Sequence, residues 1–232
     1  MSWHAYLVGQ EFDLDLLVEQ FNRGSVIVRH DGHDYWIESP DFETLTEPRE
    51  VANAATIFLS KMNGAAALVH QRYRPVKLSN QFRDNAGRNL LMTTASFSAQ
   101  ARLTAATPIL LRPDGEVVQP APPTPGSEYI AAAHRHPVVQ EALELLSQGP
   151  RDWVSLYKVF EIIRADGGHT RWASEADYKA FTNSANLPSV SGAQARHARQ
   201  PPGRSSTPKR TMSIQEAQDF IRLVTIKWIR SK

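Results

Sequence analysis

The chain concentrates basic side chains between residues 191 and 210, in the segment SGAQARHARQPPGRSSTPKR. Arg196 and Arg199 are three positions apart, so on a helical turn they share one face. Two guanidinium groups on one face can hold a phosphate or a carboxylate through paired hydrogen bonds. We therefore predict an anion-binding corner made of Arg196, Arg199, Arg204, Lys209 and Arg210. The alternative is that these cations pair with acids on neighbouring helices and only fix the loop.

The aromatic residues around this segment narrow the choice of anion. None occurs between Phe181 and Phe220, so the segment offers no platform on which bases could stack. Nucleic acid bound here would be held by its backbone, with an affinity that is sensitive to salt and indifferent to base sequence. The predicted partner is therefore a nucleic-acid backbone or an acidic protein surface.

A second basic stretch is QRYRPVKLSNQFR, residues 71–83. On a strand, Arg72 and Arg74 would share one face and Tyr73 would lie opposite, with Lys77 following. Such a strand could lie along a nucleic-acid backbone or an acidic protein edge. An edge strand that is protected from aggregation by its charges and by Pro75 has the same pattern, so both interpretations stay open.

An arginine and a histidine are five residues apart in the sequence from Arg164 to His169. This spacing resembles the R-x4–6-H motif of the HEPN superfamily, small helical domains that include metal-independent ribonucleases. The resemblance covers this motif and the helical character of 129–232, and Gly167-Gly168 departs from it because the motif normally lies on an unbroken helix. It implies that Arg164 stabilises a phosphate and that His169 serves the attack of the 2′-hydroxyl or its leaving group.

Two alternatives to that assignment remain. His197, with its arginine neighbours, is a second candidate for the same chemistry. Gly167 could instead simply end a helix, with the Arg164 side chain interacting favourably with the last carbonyl groups.

The C-terminal pattern, from SGAQARH to MSIQEAQDFIRLV, is also similar to the endings of uncharacterised bacterial proteins, and that similarity implies no activity.

Composition excludes several classes of site. The chain has 232 residues, a formal net charge of +2 and no cysteine, so it has neither a disulfide framework nor a thiolate zinc site. Its compact histidine clusters, HDGHD (30–34) and HRH (134–136), are explained by a turn and by a helix start, and we predict no metal site. Glycine-rich phosphate-loop and dinucleotide motifs are absent, so we predict no cofactor. The N-terminal segment lacks the features of a signal peptide and no apolar run could span a bilayer, so we expect a cytoplasmic protein without membrane contacts.

Charge is distributed in blocks. Residues 1–50 carry eleven acidic and three basic side chains, whereas residues 61–112 carry eight basic side chains and one acidic side chain. Such blocks favour anionic ligands or contacts between copies of the chain, so an oligomer is possible. The alternative is that the two blocks lie against each other within the fold.

Hydrophobic periodicity and turn residues outline the elements that must position these side chains. Strands are predicted at 3–8, on both sides of Asp31-Gly32 within 25–39, and around 66–78, 90–103 and 109–118. Helices are predicted at 12–21 (with a strand as the alternative), 46–64, 136–148, 151–166, 173–186 and 214–230. The fold class is therefore α+β: a mostly antiparallel sheet with a packed helix in 1–118, a proline-rich linker in 119–128 and a helical domain in 129–232.

Three functional hypotheses follow from these patterns. The first is a non-enzymatic binding or adaptor protein whose helical domain presents the arginine-rich corner to an anionic partner. The second is a metal-independent ribonuclease of the HEPN type. The third is a structural subunit of a larger assembly, in which the acidic and basic blocks contact adjacent copies.

Overall fold

A computed structural model describes residues 3–84, 86–92, 122–148, 151–167, 171–195 and 210–232. The chain divides into two compact units, unit 1 (Met1–Ile130) and unit 2 (Ala131–Lys232). Helix α3, Pro125–Arg135, begins inside the range predicted as a linker. There the backbone N–H of Gly126 donates to Oε1 of the buried Gln20, 3.0 Å away. The predicted boundaries at 118 and 129 stay a prediction, because residues 93–121 are not among those described.

Unit 1 contains an antiparallel sheet and two long helices, which confirms the predicted α+β class. Its elements are β1 (His4–Val8), α1 (Glu11–Gln20), β2 (Ile27–His30), β3 (Tyr35–Glu38), α2 (Pro48–Val69), β4 (Lys77–Arg83) and β5 (Asn89–Leu91). The strand order is β2-β3-β1-β4-β5, and every pairing is antiparallel. Each helix thus connects two strands that have one strand between them, the split β-α-β arrangement.

The two faces of this sheet have different surroundings. Side chains alternate between the faces of a strand, and the buried set is Ala5, Leu7, Val28, Tyr35, Ile37 and Phe82. The hydroxyl of Tyr35 donates to Oδ1 of Asp15 on α1 at 2.7 Å, so this buried set faces the helices. The opposite side, called the outer face below, carries His4, Tyr6, Arg29, Trp36, Glu38 and Arg83.

The hairpin predicted around Asp31-Gly32 is confirmed. Strands β2 and β3 pair from Ile27 opposite Glu38 to His30 opposite Tyr35. Oδ1 of Asp31 accepts hydrogen bonds from the backbone N–H groups of His33 (3.0 Å) and Asp34 (2.9 Å). Gly32 has a φ of 97°, a conformation that favours glycine. The strand predicted at 3–8 and the helix predicted at 12–21 are confirmed as β1 and α1.

Helix α2 corrects two predictions. The end of this helix, predicted at residue 64 after Asn63-Gly64, is wrong, because the helix continues to Val69. Asn63 makes tertiary hydrogen bonds instead: its Oδ1 accepts from the backbone N–H of Val76 (3.0 Å) and from the hydroxyl of Tyr73, and its Nδ2 donates to the Val76 carbonyl (2.9 Å). The strand predicted at 66–78 is therefore also wrong, since its first residues are helical and β4 begins at Lys77.

Unit 2 is helical, as predicted. Its helices after α3 are α4 (Pro137–Ser147), α5 (Trp153–Ala165), α6 (Glu175–Asn186), α7 (Pro188–Ser191) and α8 (Ile214–Arg230). A capping box begins α8: the Ser213 hydroxyl accepts from the Glu216 backbone, and the Glu216 carboxylate accepts from the Ser213 backbone. None of the described helices combines the length and the apolar composition that crossing a bilayer requires.

Parts of several predictions fall outside the described residues. Of the strands predicted around 90–103 and 109–118, the structure describes β5, which ends at Leu91. A 3-10 turn occupies Gly192–Gln194, and residues 196–209, beyond Ala195, are not among those described.

Candidate functional site

The predicted anion-binding corner is described only at its end. Arg196, His197, Arg199, Arg204 and Lys209 lie outside the described residues. The exposed Arg210 donates from Nη1 to Oδ1 of Asp177 at 2.8 Å. Hydrogen bonds from Ser174 and Arg210 lower the pKa of Asp177, so it is a carboxylate at neutral pH and neutralises Arg210. For Arg210 the structure thus supplies the internal acid that the alternative interpretation expects, and the rest of the corner stays a prediction.

Arg164 lies in the last turn of α5 and is exposed. The helix ends at Ala165, with Asp166 at its C-cap, and Gly167 follows with a φ of 157°. His169 is outside the described residues, so the geometry of the Arg164–His169 pair stays a prediction.

The second basic stretch is a loop at Arg72 and Arg74, where a strand was predicted, and becomes strand β4 from Lys77 onward. Arg72 and Arg74 lie between α2 and β4, and both are exposed. Tyr73 between them is buried, because its hydroxyl donates to Asn63. Lys77 is the first residue of β4 and lies opposite Val8 of β1. The two arginines are therefore exposed and Tyr73 is buried, but this difference accompanies a buried tertiary hydrogen bond and is not the alternation of a strand.

A cluster of rings on the outer face was not predicted from the sequence. The rings of His4 and Trp36 are stacked, with centroids 4.9 Å apart and planes 13° apart. Tyr6 lies beside Trp36, with a centroid distance of 6.2 Å. All three side chains are half-buried and belong to β1 and β3, the two strands next to each other within the sheet. This arrangement places three rings on the side of the sheet that faces away from α1 and α2.

Glu38 contacts two of these rings, those of Trp36 and His4. Its carboxylate accepts a hydrogen bond from Nε1 of Trp36 at 2.8 Å. The same group lies 3.3 Å from Nε2 of His4 and 3.5 Å from Nε of Arg29. Burial is the largest influence on His4 and lowers its pKa, despite the opposing charge of Glu38, so the imidazole is neutral at pH 7.

Two arginines flank the cluster. Arg29 on β2 lies opposite Trp36, and Arg83 on β4 lies opposite His4. The strand order puts three strand spacings, about 14 Å, between β2 and β4. Both side chains are exposed, and together with Glu38 they give the face two positive charges and one negative charge. The outer face therefore offers planar rings in its centre and guanidinium groups on both sides.

The sequence contains a signal for this cluster. In WHAYLV and DYWIES, alternate positions place His4 with Tyr6 and Trp36 with Glu38. Alternation alone does not show which strands are neighbours or which face the helices cover, and that information comes from the topology.

Comparisons with protein-family models, with curated proteins and with solved structures give no match. Within the described ranges, no group of three or more histidine, aspartate and glutamate side chains is placed to hold a metal ion. The side chains of the outer face have two kinds of binding chemistry: aromatic rings present flat apolar surfaces, and guanidinium groups donate hydrogen bonds to anionic oxygens.

Proposed function

We propose that the protein is a non-enzymatic, cytoplasmic nucleic-acid-binding protein and that the outer face of unit 1 binds a single strand. One observation carries the proposal: the cluster of His4, Tyr6 and Trp36 on neighbouring strands, with an arginine on each side. Aromatic rings on the exposed side of a sheet are a general means of stacking unpaired bases.

Ring stacking favours a single strand over a duplex. In a duplex the bases already stack on one another, so their faces are inaccessible to side chains on a sheet. A single strand can splay its bases onto Trp36 and Tyr6, and each such base contributes about 1–3 kcal/mol to binding. Every base has a flat face, so we expect weak sequence preference.

The flanking arginines supply the second contribution. Arg29 and Arg83 lie on opposite sides of the rings. Nε of Arg29 is engaged by Glu38 and Nε of Arg83 by the Gly87 carbonyl, so their terminal guanidinium N–H groups would contact phosphates of a strand whose bases are stacked between them. Each phosphate contact releases condensed counterions, so binding should weaken as salt rises. An acidic protein surface would also satisfy the arginines, but it would give the three rings no planar partner, and for that reason we favour nucleic acid.

In this proposal the basic segment of unit 2 makes a smaller contribution to binding than the outer face does. Arg196, Arg199, Arg204 and Lys209 would add contacts to the backbone without reading bases. Arg210 contributes less, because Asp177 already neutralises it.

Tryptophan fluorescence tests the proposal directly. The chain has five tryptophans. Trp3, Trp153, Trp172 and Trp228 are at most 7% exposed, whereas Trp36 is half-buried on the outer face. We expect oligo-dT or oligo-U of about 12 nucleotides to quench the fluorescence of Trp36, and the matched duplex to quench it much less. The variant Trp36→Phe should lose the quenching and keep most of the affinity, since it keeps a ring.

Removing the ring should weaken binding. For Trp36→Ala we expect an affinity that is about fivefold to a hundredfold lower in fluorescence anisotropy, the loss of one stacked base. Tyr6→Phe is the matched control, because it keeps the ring and removes only the hydroxyl, and its affinity should equal that of the original protein. Duplex binding as tight as single-strand binding, together with an unchanged Trp36→Ala affinity, would refute the outer face as the site. Binding of polyglutamate in place of either oligonucleotide would favour the acidic-protein alternative.

A further inference from the structure

We infer that a strand bound to the outer face continues past the end of β1 and makes a second set of backbone contacts with Arg72, Arg74 and Lys77. This inference rests on the proposed function and extends its binding site. The segment from residue 70 to residue 77, between α2 and the start of β4, is called the basic loop below.

The pairing of β1 with β4 places the end of the basic loop beside the outer face. On β1, His4, Tyr6 and Val8 alternate with the buried Ala5 and Leu7, so Val8 is on the outer face. Lys77 is opposite Val8, just as Arg83 is opposite His4. From His4 to Val8 the strand advances by about 13 Å. Cations therefore stand at both ends of β4, and the rings lie between those ends.

The backbone of the basic loop is anchored. Val76 exchanges two hydrogen bonds with the buried side chain of Asn63 in α2. The backbone N–H of Arg74 donates to Oδ1 of the buried Asp13, 3.0 Å away. Gly9, next to Val8, allows close packing, because a Cβ there would lie 3.0 Å from the side chain of Val76. The loop is thus held at the end of β1, and binding would not have to order its backbone.

Charge favours an anion at this position. No acidic residue occurs in the sequence between Glu50 and Asp84, and within that interval Arg72, Arg74 and Lys77 are exposed. The carboxylate of Asp13, the acid nearest to Arg74 in the contacts above, is buried and accepts the Arg74 backbone N–H. A polyanion that leaves the rings in the direction of Val8 would meet these three cations in succession.

Apolar surface lies beside the same cations. Val8 is 50% exposed and Phe12, at the start of α1, is 54% exposed. Phe12 makes an edge contact with His70, with centroids 4.9 Å apart. A base that has passed the outer face could therefore rest on Phe12 while its phosphate contacts the basic loop.

The inference is tested with oligo-dT of two lengths. A strand of about four nucleotides is short enough to cover the rings alone, whereas one of about 12 nucleotides also reaches the basic loop. The test variant is Arg72→Ala/Arg74→Ala. The matched control is Arg23→Ala/Arg49→Ala, which removes two exposed arginines located after α1 and in the first turn of α2. Anisotropy is measured over a range of salt concentrations, and a thermal melt verifies that each variant is folded.

We expect the test variant to bind the short strand as the original protein does and to bind the long strand more weakly. For the long strand, the plot of log affinity against log salt should become less steep by about 1.4, since each contact with a single strand contributes about 0.7. The variant Lys77→Gln should reduce the slope by about half that amount. The control variant should leave both affinities and both slopes unchanged.

The possible failures are distinguishable. If the test variant binds the long strand with an unchanged affinity and slope while Trp36→Ala still weakens it, the strand does not follow the basic loop and the proposed function stands. Equal losses in the test and control variants would show only a general effect of net charge and would overturn the inference. If the original protein binds neither strand, the proposed function itself is wrong.

Discussion

Each unit has an aromatic cluster, and the two clusters differ in how accessible their rings are. In unit 2, Trp153, Tyr157, Phe160 and Phe181 are all at most 5% exposed and form one cluster with ring distances of 5.3–6.2 Å. In unit 1, His4, Tyr6 and Trp36 form a cluster of similar dimensions on the outer face of the sheet. The residue types and spacings are alike, and their accessibility differs.

Topology explains this difference. Helices α5, α6 and α8 of unit 2 enclose their apolar stripes between them, so rings on those stripes become core. A sheet has two faces, and α1 and α2 pack on only one of them, which leaves rings on the other face half-exposed. A ring in a core stabilises the fold, whereas a half-exposed ring contributes less to folding and keeps a flat surface for a ligand.

The largest expected effect is in the core of unit 2. Phe181 is fully buried and contacts Trp153, Tyr157 and Phe160. We expect Phe181→Ala to lower the free energy of unfolding by about 3–5 kcal/mol, because it removes apolar contacts and leaves a cavity. Hydrogen exchange, measured peptide by peptide, should show the loss of protection in unit 2.

Trp36→Ala provides the contrast to that variant. It should change the protection of unit 1 little and weaken oligonucleotide binding, whereas Phe181→Ala should leave binding to unit 1 intact. If Trp36→Ala destabilised its unit as strongly as Phe181→Ala does, the outer-face rings would be core residues and the comparison would be wrong.

The second largest effect concerns the polar interior of unit 1. Asn63→Ala removes a hydrogen-bond partner of two backbone groups of Val76 and of the Tyr73 hydroxyl. Losing buried hydrogen bonds is costly, so we expect the free energy of unfolding in urea to fall by about 3 kcal/mol. Asn53, also in α2, is the control: its Oδ1 is buried without a hydrogen bond in the described part of the chain, so Asn53→Ala should be close to neutral.

Asn63 also shows where sequence reasoning fails. The periodicity and caps of local elements were predictable: Asp152 accepts from the Ser155 backbone at the start of α5, and Ser213 with Glu216 caps α8. Asn63-Gly64 has the composition of a helix stop, but hydrogen bonds to residues ten and thirteen positions away use the Asn63 side chain within a continuous helix. Local patterns do not reveal those partners. The predicted end of α2 and the strand predicted after it were therefore wrong.

The candidate site was missed for a related reason. Dense positive charge in 191–210 and 71–83 is visible in the sequence, and it directed the predictions toward arginines. The rings of β1 and β3 are about 30 residues apart in the chain and meet only because β3 returns beside β1. Each strand alone shows ordinary alternation, and the cluster exists only once the strand order is known.

A smaller effect on stability is expected at two carboxylates, each of which accepts a hydrogen bond from a tryptophan. Nε1 of Trp228, which is fully buried, donates to Oδ2 of Asp166 at 2.7 Å, and Lys232 contacts the same oxygen. Nε1 of the half-buried Trp36 donates to Glu38 in the same way. We expect Asp166→Asn to lower the free energy of unfolding by about 1 kcal/mol at pH 7. Glu38→Gln should have an effect below about 0.5 kcal/mol, because water can reach its partners.

The effect at Asp166 should depend on pH. Burial alone would raise the pKa of this carboxyl, but hydrogen bonds from Lys232 and Trp228 outweigh it and hold the pKa below its ordinary value of 3.8. As pH falls, Asp166 therefore takes up a proton at a lower pH in the folded state than in the unfolded state. The difference in the free energy of unfolding between the original protein and Asp166→Asn should have its full value above pH 5. It should disappear as pH falls through the pKa of Asp166 in the folded state. A difference that persists at low pH would mean that packing, not charge, is responsible.

The smallest expected effect is the titration of His4, and it links the outer face to its ligand. Burial lowers the pKa of His4 below 6.5, so as pH falls the histidine is protonated in the unfolded state before it is protonated in the folded state. His4 therefore reduces the stability of the fold only as pH falls below 6.5. In NMR titrations the free protein should show a midpoint below 6.5 for His4. Phosphates bound beside Arg83, which lies opposite His4, would stabilise the imidazolium, so oligo-dT should raise that midpoint. A His4 midpoint that is unchanged at saturating oligo-dT would place the phosphates away from β1, because a charge added next to a titrating group must move its pKa.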